Sequence, residues 1–226
     1  MKKRYCLKII GILLCCCLSL GLYLNITEAK NATAGEQVDC TKIGNTIAVS
    51  LDSINVANAG LIGIRAFADE DIIMTVNGVP ITSQEYEFRN MLNKAYPNSK
   101  NEEAILQSLI KEKAELSLAL EQNLIPSEEE ILQKIQMLRE EDEANGNYAE
   151  KFCENTDLTI DEYWSIYDRY NIIRILIDEN VFQYYLESEE IEEQNVYTAE
   201  EYEKISNDYL VYLENLVENA EIVYLK

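Results

Sequence analysis

A β-rich apolar run at Ile72–Val76 gives way, after Thr82, to apolar residues recurring every three to four positions. The first pattern predicts a short strand and the second a series of helices. Asn77-Gly78 supplies the two positive-φ residues of a tight hairpin turn, and Pro80 confines the returning arm to an edge. Five Ser/Thr-x-x-Glu spacings follow, at Thr82/Glu85, Ser99/Glu102, Ser127/Glu130, Thr159/Glu162 and Thr198/Glu201. In each, hydroxyl and carboxylate would satisfy the free N–H groups of a helix start. The helices so predicted cover roughly 83–95, 101–123, 127–144, 160–193 and 199–219.

Leu106, Ile110, Leu116 and Leu120 mark the buried stripe of the second helix, and Ile131, Ile135 and Leu138 that of the third. Asn145-Gly146-Asn147 ends the third, where glycine tolerates a left-handed cap. The fourth, free of glycine and proline, would run on the order of 50 Å. Glu221–Leu225 reads as a terminal strand with a natural partner in Ile72–Val76. The predicted fold class is mostly α, with a minimal β-sheet joining an N-terminal hairpin to the C-terminal strand. One helical domain is expected over 72–226. Ahead of it, Ile47, Val49 and Leu51 alternate with small or polar residues as in a half-buried strand, and residues 57–60 interrupt that pattern. Residues 30–71 are therefore expected to form a loosely docked lead segment.

The N-terminus changes the picture of where the chain works. Lys2, Lys3 and Arg4 precede an apolar run over 9–24, followed by small residues at Thr27-Glu28-Ala29 and Ala32-Thr33-Ala34. Residues 1–29 thus read as an export signal, or, if retained, as a membrane anchor over 7–24. About 16 apolar residues fall short of the ~20 that span a bilayer comfortably, which favours cleavage. Cys6, Cys15, Cys16 and Cys17 would leave with the signal, and no small residue precedes a cysteine as lipidation requires. Cys40 and Cys153 would remain, either paired or as free thiols.

The 226 residues are 47% hydrophobic, enough for a core, and carry 19 Lys and Arg against 41 Asp and Glu, a net charge of −22. Such a surface repels phosphate backbones and anionic lipids, so nucleic acid is not an expected partner and membrane contact is expected only through the N-terminal segment. The chain has no histidine, which excludes His-based triads, His metal sites and imidazole proton shuttles. No phosphate-binding loop, dinucleotide fingerprint, calcium loop or nucleophile elbow is present. Neither an enzyme nor a cofactor-binding protein is expected.

Three stretches carry a resemblance: Ile73-Met-Thr-Val-Asn-Gly-Val-Pro-Ile-Thr82, Ala104-Ile-Leu-Gln-Ser-Leu-Ile-Lys111, and Ala119-Leu-Glu-Gln-Asn-Leu-Ile-Pro-Ser-Glu-Glu-Glu130. With the closing Ala220-Glu-Ile-Val-Tyr224, their order resembles the N-terminal, client-binding module of SurA- and PrsA-type extracytoplasmic chaperones over about two thirds of the chain. The resemblance implies a SurA N-like fold that binds unfolded segments of exported polypeptides. Family members with prolyl isomerase activity carry a parvulin domain with active-site histidines. This sequence has no counterpart to it, so holding without isomerisation is the expectation.

The fourth predicted helix carries Tyr163, Trp164, Tyr167, Tyr170, Tyr184 and Tyr185, and the fifth carries Tyr202, Tyr209 and Tyr212. Tyr163, Tyr167, Tyr170, Ile177 and Val181 follow helical spacing and read as core, whereas Trp164 and Tyr185 lie off that stripe. Trp164, Tyr167, Tyr170, Tyr184 and Tyr185 are the candidate client-binding residues, because aromatics with a polar tip bury large area at low entropy cost. The Glu187–Glu193 run reads as a solvated helix end. An alternative to the chaperone is an envelope structural or interaction protein with one dedicated partner. A concave apolar patch would favour the former and a closed surface the latter.

Overall fold

The structure, a computed structural model, describes residues 38–63, 67–68, 71–191 and 198–225. Residues 1–29, read above as an export signal, residues 30–37 and Glu192-Glu193 lie outside them. The protein is mostly helical, with one small antiparallel sheet of order β2-β1-β3.

The hairpin forms where its turn residues place it. Asn77 and Gly78 both take positive φ, 50° and 80°, between β1 (Ile72–Val76) and β2 (Val79–Thr82). Pro80 sits on the outer strand, so its missing N–H costs the ladder nothing. On the other side of β1 lies β3 (Ile222–Tyr224), with Met74 opposite Tyr224 and Val76 opposite Ile222. The start and end of the 72–226 unit therefore meet, as expected.

Beyond β2 run α3 (Ser83–Ala95), α4 (Glu102–Glu121) and α5 (Glu128–Asn145), with Gly146 as the left-handed cap of the last at φ 116°. A short α6 (Tyr148–Cys153) follows. Then comes a continuous rod made of α7 (Ile160–Glu162), a π-helical stretch (Tyr163–Asp168) and α8 (Arg169–Ser188). Finally α9 (Ala199–Glu218) leads into β3. Complete capping boxes form at Ser127/Glu130, Thr159/Glu162 and Thr198/Glu201. At Thr82 only half a box forms. Its hydroxyl accepts from the Glu85 N–H, but the Glu85 carboxylate turns inward to Lys113. Ser99 caps nothing, because Asn101 stands nearer the helix and accepts from the Ala104 N–H.

The lead segment corrects the sequence reading. Residues expected to include a half-buried strand form two helices instead, α1 (Cys40–Ala48) and α2 (Leu51–Leu61). Ile43, Ile47, Ile54, Ala57 and Leu61 are buried in the main core, so this segment is docked rather than loose. A turn at 49–50 throws Val49 into solvent, and this makes a helix–turn–helix look like a strand alternation. Close packing pins α1 as well: a methyl group at Gly44 would collide with the Thr156 side chain.

The described residues form two cores. The larger joins α1, α2, α3, α5, α6, the rod and α9 with Leu116 and Ala119 of α4; the smaller seats the sheet on α4, through Met74, Val76, Ile81, Leu109 and Ile110. Leu120, expected on the buried stripe of α4, is exposed at the end of that helix.

Candidate functional site

Four of the five aromatic candidates are not on an accessible surface. Trp164, Tyr167, Tyr170 and Tyr185 are 7%, 6%, 1% and 4% exposed, and only Tyr184 is half-buried. Two causes account for this. The π-helical stretch adds a residue to the rod, rotating the following face by about 100° relative to an ideal α-helix, so Trp164 joins the interior beside Tyr163 at 5.2 Å. Buried Asn58 steadies that stretch by donating to the Ile166 carbonyl at 3.0 Å. Tyr185 is covered from a second side by α9, packing with Tyr209 at 5.4 Å and Tyr212 at 5.1 Å. The tyrosine spacing of α9 was the available sequence signal for this second interface. The expectation of an exposed aromatic cradle on Trp164 and Tyr185 is corrected: they are core.

The same rod carries a polar seam that the sequence reading missed. Lys113 and Glu85, both nearly sealed from solvent, pair at 2.8 Å. Tyr170 donates to the same carboxylate at 3.2 Å and accepts from Arg89 at 3.0 Å. Arg89 also grips Glu112 with two bonds of 2.9 and 3.0 Å, and Arg174 reaches Glu112 at 2.6 Å. Burial alone would raise the Glu112 pKa, but Arg174 and Arg89 outweigh it and hold the group at about 2. A signal existed: Lys113 lies three residues from both Ile110 and Leu116, in phase with the apolar stripe of α4.

One turn further along α8 the seam changes character. Burial and then the neighbouring Asp178 push Glu115 well above the usual carboxylate range. Asp178 accepts from the buried Tyr209 hydroxyl at 2.9 Å, which ties α9 to the rod. At the end of the π-helical stretch, burial raises Asp168 to about 7, with Asn171 opposing and Asp142 adding to the shift. Asp142 itself receives the Tyr148 and Ala149 N–H groups at the start of α6.

Groups with such shifted pKa values suit acid–base chemistry only where a substrate can reach them. Here they are packed between helices. The depression along α5, lined by Glu128, Leu132, Gln136 and Arg139, is formed by one helix's own side chains. Among the described residues no group of three or more Cys, Asp or Glu side chains is placed to hold a metal ion, and no helix is long and apolar enough to cross a membrane. Cys40 and Cys153 are free thiols, the latter raised to about 11 by burial and then by Glu162.

Apolar side chains do reach the surface at the C-terminal end. Of the ten large apolar residues exposed among the described residues, Leu210 and Val211 lie in the second half of α9, Val223 and Tyr224 in β3, and Leu225 directly after it. In comparisons with family models, with curated proteins and with solved structures, nothing matches this chain.

Proposed function

We propose that this protein acts outside the cytoplasm as a holding chaperone for exported or unfolded polypeptides, without prolyl isomerase activity. The observation that carries the reading is that five of the ten large apolar residues exposed among the described residues fall within residues 210–225, on a chain of net charge −22. Exposed apolar groups that recur along one segment fit contact with another chain better than singly scattered ones do. The export-signal pattern of residues 1–29 and the order of hairpin, helices and closing strand support the same reading. The absence of histidine supports holding without parvulin-type catalysis.

The closed aromatic core favours the alternative in one respect. A protein whose tyrosines are consumed internally has less adaptable surface than a promiscuous cradle, and an envelope protein with one dedicated partner fits that. The deciding experiment dilutes reduced, denatured lysozyme, a basic exported protein, into buffer with the purified chain. Near-stoichiometric suppression of aggregation is expected, because a holdase acts by mass action on the unfolded state. No suppression at equimolar protein, or turnover of a proline peptide in a protease-coupled assay, overturns the reading.

A further inference from the structure

We infer that β3 is an open docking edge that takes an extended, basic polypeptide segment as a fourth strand. This rests on the polypeptide-binding reading above and specifies its site and its partner.

The register decides which backbone groups are available. Glu221 accepts from the Asn77 N–H at 2.8 Å, and the Leu225 N–H donates to Ile73 at 3.0 Å. Residues 221, 223 and 225 therefore face β1, and Ile222 and Tyr224 turn their N–H and C=O groups outward, since this direction alternates along an antiparallel strand. The sheet order leaves that outer side of β3 without a strand among the described residues.

The two edges of the sheet differ in protection. On β2, Pro80 removes the outward donor. Proline, bulges and lysine are the usual devices that blunt an edge. β3 has none of them: it is Ile-Val-Tyr, with Tyr224 65% exposed and Val223 and Leu225 also open to solvent. An added strand would gain main-chain bonds to Ile222 and Tyr224 and apolar contact with Val223 and Leu225.

Charge selects the occupant. The stretches 71–82 and 221–226 contain Asp71 and Glu221 against the single Lys226, and exposed Glu218 and Glu214 lie on the last turns of α9, which leaves the edge net acidic. A second copy would bring another net −22 to the same edge. A strand with lysines alternating with aliphatic residues matches both the field and the pleat.

The test uses a fluorescein-labelled ten-residue peptide of alternating valine and lysine, read by anisotropy against the full chain. Two comparison peptides carry glutamate for lysine, or N-methyl groups on alternate amides. Tyr224→Pro removes an N–H that points away from β1, whereas Tyr224→Val keeps it. Binding of the lysine peptide is expected, with about tenfold or greater weakening for both comparison peptides and for Tyr224→Pro, and near-native affinity for Tyr224→Val. If Tyr224→Pro lowers the melting temperature, the N-methylated peptide on the unaltered chain decides. Equal binding of the N-methylated and parent peptides overturns the inference, as does a self-association in sedimentation that only Tyr224→Pro abolishes. Lysozyme protection that persists with Tyr224→Pro rejects the edge and keeps the holding function. Edge-dependent peptide binding without lysozyme protection rejects the holding function and keeps the edge.

Discussion

Glu112 and Asp168 are both carboxylates taken largely out of water against the rod, yet one is held at about 2 and the other is raised to about 7. Burial pushes both upward. Glu112 meets Arg174 and Arg89, which hold the charged form; Asp168 meets Asp142 and one amide, Asn171. Glu115 repeats the second pattern against Asp178. The lesson is that a buried acid in this fold behaves according to the sign of its neighbours rather than its depth. One end of the seam is a set of ionised, cross-linked pairs, and the other positions store protons.

The largest effect should come from breaking the ionised end. Lys113→Met strips Glu85 of its cation while leaving it nearly sealed from water, and loss of one partner of such a pair costs about 3–5 kcal/mol. In thermal denaturation the midpoint should fall by roughly 10 °C or more. Glu85→Leu combined with Lys113→Met should recover most of that loss, because two apolar side chains need no mutual compensation. A double variant as unstable as the single would show that the pair is valued for something other than charge balance.

A smaller effect, of opposite pH sense, should arise at the proton-storing positions. The folded pKa of Asp168, about 7, lies above its ordinary 3.8, so its contribution is fully present below about 4 and is lost as pH rises through 7. Glu115 acts in the same direction. Glu112, depressed from 4.5 to about 2, contributes above 4.5 and loses its contribution as pH falls through 2. The two trends leave a stability maximum on the mildly acidic side, near pH 5. Melting temperature should therefore drop by several degrees between pH 5 and pH 8 in the native chain, and by less in Asp168→Asn. An identical slope in both would mean that Asp168 is ionised throughout that range.

Much of the frame was legible in the chain. Asn77-Gly78, Pro80, and the Ser127, Thr159 and Thr198 boxes each act locally, through one turn's φ angles or one helix's free N–H groups, so no tertiary knowledge was needed. The failures are tertiary. Glu85 leaves its capping role because Lys113 lies opposite it from another helix. Val49 and Leu51 imitate a strand because a turn between two helices resets the phase. Trp164 and Tyr185 looked free on an ideal helical wheel. The π-helical stretch displaced one, and α9 covered the other. The seam itself combines residues as far apart as Glu85 and Tyr170, and besides Tyr170 it is Lys113 that signals burial by lying on an apolar stripe.

The smallest effect tests whether solvent erases the rule. Arg169 and Glu128 form a two-pronged pair at 2.6 and 3.0 Å, with chemistry close to that of Arg89 and Glu112, but the Glu128 side chain is 59% exposed. Its pKa is lowered, chiefly by the hydrogen bond from Arg169. Water screens such a pair, and exposed pairs contribute about 0.2–1 kcal/mol. Glu128→Gln should shift the midpoint by no more than a few degrees, and 1 M salt should shrink the difference further, because screening then acts over about 3 Å. Glu112→Gln, by contrast, leaves Arg89 and Arg174 facing a neutral amide in a largely buried site, and most of its cost should persist at 1 M salt. Equal salt sensitivity of the two variants would show that the Glu112 site is wet, and would remove burial as the reason its two arginines dominate its pKa.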